Sequence, residues 1–387
     1  MTEAEKSVNA TFIEAKAQVL NKAYWYHGLM PRDEISDLLK HDGDFLVRRS
    51  ELGLNQKLVI SMRWSRVRHM FIKVTPEARF NITDLLNFEN VERLICFYMG
   101  SKAEIFRDGA KLMRPIKRPE WCLFHENIKL NKKVGSGSFG DVYIGKLTDK
   151  DKKLDVAVKM LKGKLGKKER SGFVKEASLN RRFNHPNIVR LLGIAAQQDP
   201  IMVVLELASG GSLKGYLQKN PDASVERLNK FLLDAAKGLT YLSSLNVTHR
   251  DIAARNCLLA EDLTVKISDF GLSIAEAQVK EKKLSKVPTK WLAPETLGQG
   301  VFSTKTDVYT YGVMMWEVYT YCKADPYSKI TNLEARQAIQ AGKTLEIPTI
   351  TPLFACKIME DCWKKDPDAR PTFGQIAERF EAAMKLN

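Results

Sequence analysis

The sequence lacks the features that would place the chain in a membrane, in a secretory route or around a structural metal. No apolar run approaches the ~18 residues that a membrane-spanning helix needs. The first residues lack the basic-then-apolar order of a signal peptide, and Thr2 stands where myristoylation requires glycine. The six cysteines form no CxxC pair, and none lies near histidines at metal-ligand spacing. We therefore expect reduced thiols in a cytoplasmic protein, with at most peripheral recruitment to the inner face of the plasma membrane by partners.

Repeats and low-complexity tracts are also missing, and the charge is unbalanced. The 61 basic and 46 acidic residues give a formal net charge of +15. Such an excess suits nucleic acid, anionic membrane or phosphorylated partners, and a basic solvated surface explains it equally well. No nucleic-acid-binding motif is present and the charge is scattered, so we expect no nucleic-acid partner. The length of 387 residues suits two domains of unequal size.

Hydrophobic patterns predict an α+β organisation. Between residues 24 and 114 a helix near residues 31–40 is followed by short strands and by a second helix over residues 82–98. After a stretch rich in lysine, arginine and proline, strands dominate to about residue 160 and helices after about residue 210. The expected boundaries are 1–23 for a polar helical extension, 24–114 for a first domain, 115–127 for a linker and 128–387 for a second domain.

A glycine-rich stretch lies between two strand-like runs of the second domain. Its residues are Val134, Gly135, Ser136, Gly137, Ser138, Phe139, Gly140, Asp141 and Val142. Glycines let a loop fold closely over phosphates, although this spacing alone also occurs in dinucleotide-binding folds. Here a strand follows instead of a helix, and a strand further downstream ends at Lys159, whose charge suits phosphate oxygens. Glu176, on a predicted helix, is the expected partner of Lys159; alone, each would be interpreted as a surface charge.

Further motifs follow in a fixed order. They are His249-Arg250-Asp251-Ile252-Ala253-Ala254-Arg255-Asn256, Asp269-Phe270-Gly271 and Ala293-Pro294-Glu295. With the glycine-rich stretch and Lys159 they resemble the signature of the protein kinases, over about residues 121–387.

This resemblance implies a two-lobed domain that transfers the γ-phosphate of ATP. Asp251 would accept the proton of the substrate hydroxyl, and Asn256 and Asp269 would hold Mg²⁺ through hard oxygen ligands. Backbone groups of Glu206 and Ala208 would hold adenine. The resemblance also implies structural roles: Arg370 pairing with Glu295, and Asp307 supporting the catalytic loop.

Two details resemble the kinases that phosphorylate tyrosine. Ala253 stands where serine/threonine kinases carry lysine, and Arg255 follows two positions later. Pro288-Thr289-Lys290-Trp291 is similar to the segment on which tyrosine kinases rest the substrate phenol. We therefore expect tyrosine side chains of proteins as substrates.

The first domain resembles a Src homology 2 (SH2) domain, a central antiparallel sheet flanked by two helices. The motifs are Trp25-Tyr26-His27-Gly28 and Phe45-Leu46-Val47-Arg48-Arg49-Ser50. An arginine in a buried strand needs an anion, which the resemblance identifies as the phosphate of phosphotyrosine on partner proteins. The alternative is a salt bridge from Arg48 to an internal acid. Arg32, Ser50 and His69 match further phosphate-contacting residues of the family.

The junction Glu120-Trp121-Cys122-Leu123-Phe124-His125-Glu126-Asn127 resembles the Fes/Fer group of non-receptor tyrosine kinases. We expect the long membrane-bending N-terminal region of that group to be absent, because the chain resembles its short nematode forms. Family members usually order their activation segment through a phosphorylated tyrosine, but residues 269–295 contain none. No tyrosine-bearing tail follows the last helix, so we expect no latch between tail and SH2 domain.

A phosphotyrosine-reading scaffold with an inactive kinase-like domain is the main alternative. It is disfavoured because Lys159, Glu176, Asp251, Asn256 and Asp269 are all present.

Overall fold

A computed structural model describes residues 20–30, 32–52, 55–83, 85–136, 140–149, 152–161, 167–281 and 287–385. Its contacts form two compact units. The first contains the described residues up to Ala177 together with Leu192–Leu205, and the second contains Ser178–Leu191 together with the residues from Glu206 onward. Most of the predicted helical extension lies outside the described residues, but Leu20 is buried in the core of the first unit.

The strands are β1 (Tyr26–Leu29), β2 (Asp44–Leu52), β3 (Asn55–Trp64), β4 (Arg66–Phe71), β5 (Lys73–Val74), β6 (Phe80–Asn81), β7 (Arg114–Pro115), β8 (Ile128–Ser136), β9 (Gly140–Asp149), β10 (Lys152–Leu161), β11 (Leu191–Ala195), β12 (Met202–Glu206), β13 (Gly211–Ser212), β14 (Cys257–Leu259), β15 (Val265–Ile267), β16 (Gln278–Lys280) and β17 (Val301–Ser303). The α-helices are α1 (Arg32–Leu38), α2 (Val91–Ser101), α3 (Lys167–Asn180), α4 (Leu213–Lys219), α5 (Val225–Ser244), α6 (Pro294–Gln299), α7 (Thr304–Tyr319), α8 (Asn332–Gln340), α9 (Leu353–Cys362) and α10 (Phe373–Lys385). The fold class is α+β, as predicted.

The first sheet of the first unit has β2 at its centre. Strands β2, β3 and β4 pair antiparallel, while β1 and β7 both pair parallel with the other edge of β2. Side chains alternate between the two faces. Val47 and Ile60 enter a core with Leu94 of α2, and Leu46 packs with Ile35 of α1 on the opposite face. The sheet therefore lies between two helices, and the face of Leu46 is also the face of Arg48.

The second helix predicted in this region is wrong in its first half. It was expected over residues 82–98, but α2 spans Val91–Ser101. The side chain of Asn90 accepts a hydrogen bond from the backbone of Arg93 (2.8 Å), which caps the helix at that residue. Before this cap, Phe80 and Phe88 pair as an antiparallel bridge, and the described residues between them form no helix.

A second sheet in this unit has the strand order β11-β12-β10-β9-β8. Its apolar side chains, among them Ile128, Val156, Val158 and Val204, form a separate core. The antiparallel register of β9 and β10 places Lys159 opposite Val142. The glycine-rich stretch and the lysine are thereby brought to neighbouring strands.

The second unit is mainly helical. Helix α5 buries Leu228, Leu232, Ala235 and Leu239, whose spacing gives one apolar stripe facing the core. Helix α7 is buried along most of its length, which makes it the centre of the unit. The small sheets β13-β14-β15 and β16-β17 add Cys257, Leu259, Val265, Ile267 and Phe302 to the same core.

Candidate active site and phosphate pocket

The glycine-rich stretch joins β8 to β9. Gly137, Ser138 and Phe139 lie outside the described residues. At Gly140 a Cβ atom would lie 2.2 Å from the carbonyl oxygen of Met160, so only glycine allows β9 to pair this closely with β10. The carboxylate of Asp141 accepts a hydrogen bond from Ser136 (2.8 Å) and pairs with Lys133 (2.8 Å). Both strands are thus joined at the base of the turn.

Lys159 and Glu176 form an ion pair in the same unit. Lys159 Nζ lies 2.7 Å from Glu176 Oε1, and both side chains are mostly buried. Strand β10 supplies the lysine and helix α3 the glutamate. The interpretation of either residue as an isolated surface charge is therefore wrong, because each is withdrawn from solvent and paired.

Asp251 is held from both sides in the second unit. Arg255 donates to Oδ1, and Asn256 Nδ2 donates to Oδ2 at 2.8 Å and to the backbone oxygen of Asp251 at 2.7 Å. The guanidinium of Arg255 also lies 4.8 Å from the ring centre of Trp291. Each oxygen of a carboxylate has two acceptor positions, so this arrangement orients Asp251 and leaves it able to accept a further proton donor.

Buried acids fix the loop that carries Asp251. Asp307 accepts hydrogen bonds from the backbone N–H groups of His249 (2.6 Å) and Arg250 (2.9 Å), which confirms its predicted supporting role. Burial raises the pKa of Asp307 to about 7, while these two bonds act in the opposite direction. Arg250 has φ 72°, a strained conformation for a non-glycine residue. Glu317 accepts from the backbone of Ala254 (3.0 Å) one residue before Arg255.

Asp269 also has a positive φ, 62°. Its neighbour Ser268 donates from both its backbone and its hydroxyl to the carbonyl oxygen of Asn256 (2.9 and 2.8 Å). The other neighbour, Phe270, is buried against Phe183. Because the amide nitrogen of Asn256 donates its hydrogen bonds to Asp251, the amide oxygen is the atom suited to bind a metal. Together with the carboxylate of Asp269 it gives the hard oxygen donors that Mg²⁺ prefers, so these residues fit the ion.

The side chain of Glu206 makes structural contacts within the second unit. It accepts from the backbone of Arg190 (2.8 Å) and pairs with Lys266 (3.0 Å). The carbonyl oxygen of Ala208 accepts from Gly211 (3.3 Å). A role for Glu206 in nucleotide binding would therefore use its backbone, as predicted.

Arg48 is buried in the first unit, with 2% of its surface exposed. Its Nε donates to Ser61 Oγ (3.0 Å) and its Nη1 to the carbonyl oxygens of Met30 (3.2 Å) and Arg49 (3.4 Å). Its Nη2 is buried and has no hydrogen-bond partner among the described residues. Burial, and then the charge of Arg32, lower the pKa of Arg48 to about 10, so it stays charged at neutral pH. No described acid pairs with it, which leaves the salt-bridge alternative without support.

The other predicted phosphate contacts surround this arginine. His69 Nδ1 lies 3.0 Å from Ser61 Oγ. Ser50 lies two residues beyond Arg48 on the same strand and face, and Arg32 begins α1 with an exposed side chain. Ser61 was missed in the sequence because a serine in a strand has no signature of its own, although the two-residue periodicity places it on the face of Arg48.

Family models match both parts of the chain. The model described as protein tyrosine and serine/threonine kinase matches residues 128–380, and the SH2 domain model matches residues 25–98. "Fer-related kinase 1" of Caenorhabditis elegans is 38% identical over 370 residues, covering 93% of this chain and 94% of that protein. The chain belongs to the Fer-related protein tyrosine kinases. It is thus a non-receptor kinase with an SH2 domain.

Other relatives of this kinase are longer. "Tyrosine-protein kinase Fer" of Homo sapiens is 38% identical over 381 residues, which cover 97% of this chain but 45% of that protein. "Tyrosine-protein kinase transforming protein Fps" of Fujinami sarcoma virus is 37% identical, over 93% of this chain and 41% of that protein. The kinase spans less than half the length of these two relatives. Among the residues that the structure describes, no helix is long and apolar enough to cross a membrane.

The sequence did not predict the contacts that the segment of Ala196 and Asp199 makes with strands β1 and β2. The backbone N–H of Leu29 donates to Ala196 (2.8 Å), and a Cβ atom on Gly28 would lie 2.5 Å from the oxygen of Ala196. Asp199 lies 3.7 Å from Arg49 of strand β2 and accepts from Arg170 of helix α3 (2.7 Å). The strand that carries Arg48 is therefore linked through Asp199 to the helix that carries Glu176.

Proposed function

We propose that this kinase transfers the γ-phosphate of ATP to tyrosine residues with Asp251 as the acceptor of the substrate proton. The observation that carries the proposal is the double hold on Asp251 by Arg255 and Asn256. A carboxylate fixed in this way directs one acceptor position at a hydroxyl, and it loses no conformational entropy when the transition state forms, because it is already oriented. Lys159, fixed by Glu176, would hold phosphate oxygens and offset their charge.

The nucleotide and the metal would be held by the remaining residues. The turn from Val134 to Val142 would cover the phosphates, and the backbone of Glu206 and Ala208 would hold adenine. Asn256 and Asp269 would hold Mg²⁺, which neutralises charge on the phosphates when it is bound. The positive φ of Asp269 supports this assignment, because strained backbone is concentrated at functional sites.

Specificity for tyrosine would come from the surroundings of Asp251. The packing of Arg255 on Trp291 connects the catalytic loop to the segment Pro288-Thr289-Lys290-Trp291. Lys290 is itself fixed, since its Nζ donates to the carbonyl oxygens of Tyr327 and Ile330 at 2.8 Å each. This rigid segment would support a substrate phenol.

The SH2 domain would bind phosphotyrosine on partner proteins through Arg48. Its buried Nη2 has no hydrogen-bond partner in the described part of the chain, and a phosphate would supply one in charge-assisted geometry. Arg32, Ser50 and His69 would provide further contacts. We place the kinase in the cytoplasm, recruited by phosphorylated partners, at most peripherally, to the inner face of the plasma membrane. Placement on such a partner would be its main control, with a contribution from the link through Asp199.

A transfer assay with labelled ATP and a tyrosine-containing polymer tests the catalytic proposal. Asp251→Asn should lower kcat by about 10²–10⁴-fold while binding of an ATP analogue is retained, because the acceptor is lost but the shape is kept. Asp262→Asn, at an exposed turn, is the matched control and should behave as the wild type. Near-normal turnover of Asp251→Asn, or a product containing only phosphoserine, would refute the proposal.

A further inference from the structure

Glu281 lies in the activation segment and binds the arginine next to the catalytic aspartate. Arg250 Nη2 donates to Glu281 Oε1. Arg250 is largely buried, and its guanidinium lies 4.1 Å from the ring centre of Phe302. One carboxylate thus neutralises the positive charge that immediately precedes Asp251.

Backbone pairing on both sides of the segment holds Glu281 where its carboxylate reaches Arg250. Strands β16 and β17 pair antiparallel, with Val279 opposite Phe302, directly before Glu281. The N–H of Glu281 then donates to the carbonyl oxygen of Gly300 (2.9 Å). A Cβ atom on Gly300 would lie 2.1 Å from the oxygen of Glu281, and Gly300 has φ 72°. Only glycine at position 300 therefore permits this close approach of the two backbones. The ring of Phe302, against which the Arg250 guanidinium packs, belongs to β17, the strand that pairs with β16 directly before Glu281.

We propose that Glu281 is a positioning residue for phosphoryl transfer that takes the place of a phosphorylated tyrosine. Where activation segments are switched by phosphorylation, a new phosphate–arginine pair orders them. Residues 269–295 contain no tyrosine, but Glu281 brings a permanent anion to Arg250. Through Arg250, whose N–H is bound by Asp307, the contact fixes the loop of Asp251. Transfer then requires no phosphate on this segment. This inference rests on the kinase activity proposed above.

Dephosphorylation of the full chain is the first test. The protein is treated with a phosphatase active on serine, threonine and tyrosine, and intact mass confirms that no phosphate remains. Initial rates on the tyrosine polymer should then stay within about twofold of the untreated protein, since the anion is built in. Loss of activity that returns with a phosphate mapped to the segment, for example on Ser285 or Thr289, would overturn the inference.

Substitution of the carboxylate is the second test. Glu281→Gln should lower kcat about tenfold or more, with the KM for ATP nearly unchanged, because the reacting loop is loosened and the nucleotide contacts are not. Glu276→Gln, an exposed glutamate of the same segment, is the matched control and should leave both constants unchanged. Equal rates for the two variants would overturn the inference.

Limited trypsin digestion gives a measurement independent of activity. Lys282, Lys283 and Lys286 follow Glu281 in the sequence. Cleavage there should be several-fold faster in Glu281→Gln than in Glu276→Gln, because the segment loses its attachment to Arg250. If the untreated wild type transfers no phosphate, the proposed function fails, and this digestion alone still decides whether Glu281 orders the segment. Equal cleavage in both variants would contradict that role.

Discussion

Two buried arginines of this kinase, Arg48 and Arg250, differ in whether the described chain provides a carboxylate to pair with them. Arg48 of the SH2 sheet has three hydrogen bonds to neutral groups and a buried Nη2 without a partner among the described residues. Arg250 of the catalytic loop is bound by the carboxylate of Glu281. We propose that an anion from another molecule completes the first, whereas the second has its anion within the chain. If both proposals hold, the SH2 domain recognises phosphate, while the catalytic loop needs no phosphate of its own.

A third buried arginine, Arg370, is paired with a carboxylate in a purely structural ion pair. Arg370 binds both carboxylate oxygens of Glu295 (2.6 and 2.9 Å), which confirms the predicted pair. Removing one partner of a buried pair leaves an uncompensated charge. Arg370→Met should therefore lower the free energy of unfolding by about 3–5 kcal/mol, measured by urea denaturation.

Arg379 provides the matched control for that experiment. It also lies 2.8 Å from a carboxylate, that of Asp361, but both side chains are about one-third exposed. Arg379→Met should cost less than about 1 kcal/mol, because solvent screens the pair. Equal losses for the two variants would show that burial does not distinguish these arginines.

Arg48→Leu should separate binding from stability. Affinity for a pool of phosphotyrosine peptides should fall about 100-fold or more, since a desolvated charge that contacts the ligand is lost. Unfolding should be affected far less than in Arg370→Met, because no carboxylate among the described residues pairs with Arg48 and would be left unpaired. Fluorescence anisotropy and thermal unfolding measure the two effects. Arg66→Leu, an exposed arginine of β4, should retain binding. Unchanged affinity of Arg48→Leu would contradict the assigned pocket.

The candidate catalytic and binding residues were largely predictable, as was Glu176 as the partner of Lys159, but several other partners were not. Lys159, Asp251 and Arg48 stand in motifs whose residue types follow from the chemistry. Glu281 and Asp199 stand in no motif, and Asp199 is 150 positions from Arg49, its neighbour in space. The carbonyl of Met30 could not be predicted at all, because every residue has one. Partners set by tertiary approach leave no local pattern.

The helix predicted over residues 82–98 failed for a related reason. Its apolar residues have a spacing that a helix also shows, but Phe88 pairs in a β-bridge with Phe80, which precedes the predicted helix. The cap at Asn90 is visible in the sequence and gives the correct start. A local hydrogen bond was thus the better guide than hydrophobic periodicity.

The pKa of His69 gives a direct measure of phosphate binding next to Arg48, with the smallest of the expected effects. Burial, and then the charges of Arg48 and Arg32, lower its pKa to about 4, from an unfolded value near 6.5. A pKa lowered by folding means that stability is lost as pH falls from about 6.5 to 4, because the unfolded state binds the proton more readily. Bound phosphate offsets the arginine charges, so phosphotyrosine should raise the pKa of His69 by about one unit. Arg48→Leu should raise it less, because Arg32 and the burial remain. A titration of the imidazole by NMR measures both changes. A midpoint that phosphotyrosine leaves unmoved would mean that the phosphate does not reach this face of the sheet, and the role assigned to Arg48 would then be wrong.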